Sequence, residues 1–102
     1  MKTNYRKVVI KIGSNVLTRA DGLPDLKRIT HLVDQLATIR KQGIEVVVVS
    51  SGAVASGRSL IDVQEKHNTV ATRQLLASIG QIKLINTYLQ LFEKHDLLCS
   101  QV

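Results

Sequence analysis

Residues 44–58 read "IEVVVVSSGAVASGR", and the fold turns on how the valines relate to the serine–glycine run behind them. Four consecutive valines with no polar alternation predict a strand covered on both faces, the usual state of strands in parallel sheets. "SSG" then breaks the run. The small residues after it predict a glycine-punctuated turn that opens a short helix. A buried strand of this kind needs a parallel neighbour, and the sequence on either side supplies one.

Upstream, Leu26, Ile29, Leu32, Val33, Leu36 and Ile39 recur at helical spacing. Asp25 stands where an N-cap belongs. Arg40 and Lys41 fall in the last turn, where cations suit the helix dipole, and Gly43 sits at the C′ position. A helix over residues 26–42 follows. Before it, Gly13, Asn15, Asp21, Gly22 and Pro24 mark turns, and "KVVIKIGSNVL" at residues 7–17 opens with a β-branched strand. Strand, helix and strand with short connections form a βαβ unit, so the two strands are expected to be parallel.

Downstream, "IDVQEKHN" at residues 61–68 is a polar excursion. Residues 69–94 are expected to be helical. Leu75, Ile79, Ile82, Ile85, Leu89 and Phe92 form the apolar stripe, widened by Leu76, Tyr88 and Leu91. Gly80 interrupts it at a cost of about 1 kcal/mol relative to alanine, which marks either a close backbone approach or mere tolerance. "LLCSQV" at residues 97–102 has the look of a third strand. The fold class is thus α/β: a parallel sheet with helices on both faces. Two readings of its extent stay open. Residues 1–102 are the N-terminal part of a larger domain, or a small three-stranded domain that a partner chain completes.

The chain has 102 residues with ordinary apolar and charged content, which excludes disorder and allows one small domain. One cysteine, Cys99, permits no intrachain disulfide and fits a reducing compartment. The apolar run before Lys11 is too short for a signal peptide or a membrane span, so the expected location is the cytoplasm. The net charge of +6 is spread along the chain, with a mild excess at Lys2, Arg6, Lys7 and Lys11, and only Tyr5, Tyr88 and Phe92 are aromatic. That distribution argues against nucleic-acid binding and leaves room for a small anionic ligand.

In parallel sheets, ligands bind beyond the carboxyl ends of the strands. Two loops leave such ends here: "GSN" after the first strand and "SSGA" after the second. Gly13 lets backbone N–H groups approach an oxyanion. Ser51 and Gly52 stand at a helix start, and Lys11 brings an ammonium to the same edge. Each feature alone is commonplace: a snorkelling lysine, a turn glycine, an N-cap. No Walker A or dinucleotide glycine pattern is present. His31, His67 and His95 lack metal-ligand spacing and are given no metal role.

Taken together, "VVIKIGSNVLT", "VVVVSSGAVASGR" and "RQLLASIGQIKLI" resemble the N-terminal part of the amino acid kinase family, and within it the glutamate 5-kinase branch. The resemblance spans residues 6–102. It implies a three-layer αβα sandwich of which this stretch is the amino-acid-binding part. It implies ATP-dependent phosphorylation, with Mg2+, of the L-glutamate side-chain carboxylate, the first step of proline biosynthesis, by a homo-oligomer. By motif position, Lys11 matches the ATP-phosphate lysine and is the catalytic candidate. Gly13 and Ser14 match the phosphate-side loop. Ser51, with Gly52 and Ala53, matches the glutamate-binding turn. The family's catalytic aspartate and nucleotide-binding half have no counterpart in these 102 residues, so the chain alone is expected to be inactive. A different class of function remains in view: a non-catalytic association module, or a remnant of such a kinase, that uses the 69–94 helix.

Overall fold

The computed structural model describes residues 6–61 and 69–101. Lys2, Tyr5, His67 and the polar excursion over 62–68 lie outside the described residues. Two strands, β1 (Lys7–Ile12) and β2 (Glu45–Ser50), pair in parallel, with Lys7 opposite Glu45 and Ile12 opposite Ser50. Four helices accompany them: α1 (Ser14–Leu17), α2 (Leu26–Lys41), α3 (Ala53–Arg58) and α4 (Val70–Glu93).

The crossover helix α2 forms as its signals indicate. The Asp25 carboxylate accepts from the Arg28 N–H at 3.1 Å. At the other end the Gly43 N–H donates to the Arg40 carbonyl, with Gly43 at φ +84°, a conformation that favours glycine. Ile29, Val33, Leu36 and Ala37 are its buried face. Of these, Ile29 and Val33 meet Ile12 on β1 and Leu84, Tyr88 and Leu91 on α4 in one core. The single turn α1 is too short to show as periodicity in the sequence, yet it seats Leu17, 1% exposed, in that core. The chain then makes a tight turn, with a bridge between Thr18 and Pro24 and the Asp25 N–H donating to the Leu17 carbonyl.

Three expectations need correction. First, the valine run is covered on one face only among the described residues. Val46 and Val48 are half-buried on the helix side, while Val47 and Val49 are 38% and 51% exposed and share an open face with Val9 and Lys11. Both long helices pack on the Ile10, Ile12 and Val48 face. Second, residues 97–101 form no strand. Asp96 takes a left-handed φ of +57°, and the Leu97 N–H closes back onto the Phe92 carbonyl, so α4 ends in a hydrogen-bonded turn. The segment that follows lines a groove together with Val46 and Val48 of β2 instead of pairing with that strand. Third, the buried row of α4 is Leu76, Gly80, Leu84, Tyr88 and Leu91. Leu75 and Ile82, assigned to the stripe from hydrophobicity, are 52% and 76% exposed.

The third difference has a clear cause. Gly80 is the centre of the contact between α3 and α4. A Cβ at Gly80 would collide with the Ala53 carbonyl and the Gly57 nitrogen, and one at Gly57 would collide with the Leu76 backbone. The helices therefore meet backbone to backbone, through glycines rather than through the bulkiest side chains. Among the described residues, no helix is long and apolar enough to cross a membrane.

Candidate functional site

Parallel pairing brings the carboxyl ends of β1 and β2 to one edge of the sheet. The two loops leaving that edge are joined directly: the Ser51 N–H donates to the Ile12 carbonyl at 3.1 Å. Gly52 follows with φ +119° and ψ −1°, a backbone that a Cβ would strain, and turns the chain into α3.

Beside this turn is a cleft of about 560 Å3, within the range of small-ligand sites. Asn15 and Thr18 come from the β1 side, and Ser51, Gly52 and Ala53 from the β2 side. Arg58, at the end of α3, and Arg73, in the first turn of α4, complete it. Thr69 caps that first turn, its hydroxyl accepting from the Thr72 N–H at 3.2 Å. Arg58 is half-buried and leans on the Gly22 turn, where a Cβ on Gly22 would lie 3.2 Å from its Nη1.

The substrate-side residues expected from the sequence, Ser51, Gly52 and Ala53, therefore stand together in one wall. The phosphate-side residues are placed differently. Lys11 is exposed on the open face of the sheet, away from Ile10 and Ile12, and does not line the cleft. Gly13 is extended at φ −71° and ψ 158°, so its backbone alone does not demand glycine. A Cβ there would meet nothing within 4 Å, which leaves free space above the loop. Ser14 opens α1.

The two arginines were not singled out from the sequence. Arg58 closes the "SSGAVASGR" run, and six helical residues carry it back beside Gly52. Arg73 is distant in sequence and reaches the cleft only because Gly57 and Gly80 let α4 dock tightly on α3. Among the described residues, neither guanidinium forms an ion pair, whereas Arg19 and Arg28 pair with Asp21 and Asp25. Two guanidiniums with no acidic partner among the described residues, in one cleft, repel each other and draw in an anion. The charge of the site thus comes from side chains more than from α3, whose six residues make a short dipole.

No group of three or more His, Cys, Asp or Glu side chains that could hold a metal ion occurs among the described residues. His95 instead reaches across to α2, its Nε2 lying 2.7 Å from Asp34 Oδ1. Burial and then Glu93 push the Cys99 thiol up, away from the reactive thiolate form.

Comparison with known proteins adds to this geometry. Residues 6–102 match the amino acid kinase family. Over 102 residues the chain is 49% identical to a protein of Bacteroides thetaiotaomicron named glutamate 5-kinase, covering 100% of this chain and 28% of that relative. It is 41% identical over 98 residues to a glutamate 5-kinase of Chlorobaculum tepidum, covering 96% and 27% respectively. A glutamate 5-kinase of Syntrophus aciditrophicus is 44% identical over 99 residues, covering 97% and 26%. The chain thus spans little more than a quarter of the length of these curated relatives.

Proposed function

The chain belongs to the amino acid kinase family, and from that premise we propose that it is the amino-acid-binding part of a kinase that phosphorylates the side-chain carboxylate of L-glutamate with ATP. The observation that carries this reading is the cleft, in which the Ser51–Gly52–Ala53 turn faces two arginines that have no carboxylate partner among the described residues. A dicarboxylic amino acid has the charge and size for such a site. The name its relatives carry, glutamate 5-kinase, agrees with that choice.

The chemistry asks little of acids and bases. A glutamate carboxylate, with an ordinary pKa of about 4.3, is already an ionised nucleophile at neutral pH. Its oxygen forms a bond to the terminal phosphorus of ATP while the bond to the bridging oxygen breaks and ADP leaves. The obstacle is that two anions must meet, so positioning and fixed positive groups carry the catalysis. Ser51, Arg58 and Arg73 would hold the amino acid. Lys11 and the free space above Gly13 would face the phosphates. Magnesium, when bound with ATP, offsets phosphate charge. The described residues contain no cluster of carboxylates to hold it, so none of them is assigned to the metal.

The test is glutamate saturation in the kinase that carries this sequence. Ser51→Ala, Arg58→Ala and Arg73→Ala should each raise KM for glutamate, the arginine changes by about tenfold or more, as expected for a lost charge-assisted hydrogen bond. KM for ATP should stay nearly constant. Equal rises for both substrates, or no change in either, would remove the assignment.

A further inference from the structure

We propose that Tyr88 is a positioning residue for this cleft, acting through Ser50 on the Ser51–Gly52 peptide. The inference rests on the reading of the cleft as the amino-acid site. Tyr88 lies on α4, far from Ser51 in sequence, and is 6% exposed. Its hydroxyl oxygen is 2.8 Å from Ser50 Oγ, and the Ser50 hydroxyl donates to the Ser51 carbonyl at 2.9 Å. A serine hydroxyl has a single proton. Once Ser50 gives that proton to the Ser51 carbonyl, Tyr88 must be the donor in the other contact. The chain therefore runs in one direction, from Tyr88 O–H to Ser50 O–H to the Ser51 carbonyl. Burial raises the Tyr88 pKa, against a smaller opposing effect of the Ser50 hydrogen bond, so the phenol keeps the proton it donates.

The location gives the chain its purpose. The Ser51 N–H is already tied to the Ile12 carbonyl. With its carbonyl tied as well, both backbone polar groups of Ser51 are held. The next residue is Gly52 at φ +119°, where the missing Cβ gives the preceding peptide plane no steric lock. A peptide free to rotate there would swing the Ser51 carbonyl and the Gly52 N–H, both in residues that line the cleft wall. The two hydroxyls supply the lock that the glycine gives up. Orientation of this kind matters most where a substrate must be held in line.

The experiment uses Tyr88→Phe and Ser50→Ala in the intact kinase, with Ser50→Thr as the variant that keeps the hydroxyl. In ligand-free protein, amide exchange at Ser51, whose N–H is bonded to the Ile12 carbonyl, should accelerate about tenfold in Tyr88→Phe, the scale of one hydrogen bond lost. Exchange at Leu84 and Ile85 should not change. KM for glutamate should rise several-fold with KM for ATP constant. Ser50→Ala should do the same, the double variant should add little, and Ser50→Thr should sit near wild type. Unchanged exchange at Ser51 in a folded Tyr88→Phe protein overturns the proposal, as does acceleration spread evenly over α4. Should Tyr88→Phe not fold, Ser50→Ala decides by the same readings. A wild-type enzyme that does not turn over glutamate would sink the substrate reading instead, and amide exchange would still decide whether Tyr88 holds the peptide.

Discussion

Gly80→Ala should destabilise the fold, although alanine is the better helix former. An added methyl in a well-packed interior costs about 1–3 kcal/mol and at times more. The gain in helix propensity returns about 1 kcal/mol. Here the upper end of the cost applies, because the atoms in the way are the Ala53 carbonyl and the Gly57 nitrogen. A side chain can rotate aside, but these backbone atoms can move only if α3 moves. Gly80→Val should cost more still, since both branches enter the same contact. Urea titration should show a lower midpoint for each, with glutamate binding weakened as Arg73 shifts relative to Arg58. Gly13→Ala is the contrasting case: its φ of −71° suits alanine and nothing lies within 4 Å of the new Cβ, so the midpoint should hold. A Gly80→Ala midpoint at or above wild type would show that α3 and α4 are not in backbone contact.

The same contact shows what the sequence could not express. Helix α2 is legible from end to end because its signals are local: a carboxylate at the cap, a periodic apolar face, a glycine at C′. The βαβ order and the parallel pairing of the two strands follow from it. The turn at Ser51 is also legible, since only a glycine accepts the backbone at residue 52. The extent of helix α4 is legible from its apolar periodicity, but its rotation about its axis is not. Counting apolar side chains skips Gly80, the residue that decides which face docks. Arg73 was lost with that rotation, because its place in the cleft depends on the docking and on nothing near it in sequence. Arg58 closes the SSGAVASGR run, but its lack of a carboxylate partner among the described residues is a fact of three dimensions. The segment 97–101 carries strand propensity but pairs with no strand among the described residues. The turn at Asp96 instead leaves it beside β2, with Cys99 packed against the core and Leu98 89% exposed.

Lys11→Ala should have the largest effect on catalysis while leaving the fold intact. The side chain is exposed, and on the open face its neighbours Val9, Val47 and Val49 are exposed as well, so no packed contact of the helix face is lost. At its amino end that face carries Lys7 opposite Glu45, but toward the carboxyl end Lys11 stands among the aliphatic Val9, Val47 and Val49 with no acidic residue opposite it. A strand of Val8, Val9, Ile10 and Ile12 gains nothing in stability from an ammonium near its carboxyl end. The charge makes sense beside phosphate. In the proposed reaction, glutamate carboxylate and ATP repel as they close, and negative charge spreads over the phosphoryl oxygens as the bond transfers. A fixed ammonium at the strand end, next to the free space at Gly13, would oppose that repulsion at the step where it is greatest. Removing one such donor costs about 10²–10³ in kcat in comparable sites. KM for glutamate should change little, because Lys11 does not line the Ser51 cleft. Lys11→Arg should recover only part of the loss, since a planar fork does not replace a compact point charge. Urea midpoints for both variants should match wild type. A correctly folded Lys11→Ala enzyme with kcat within a few-fold of wild type would take the phosphoryl role away from this lysine.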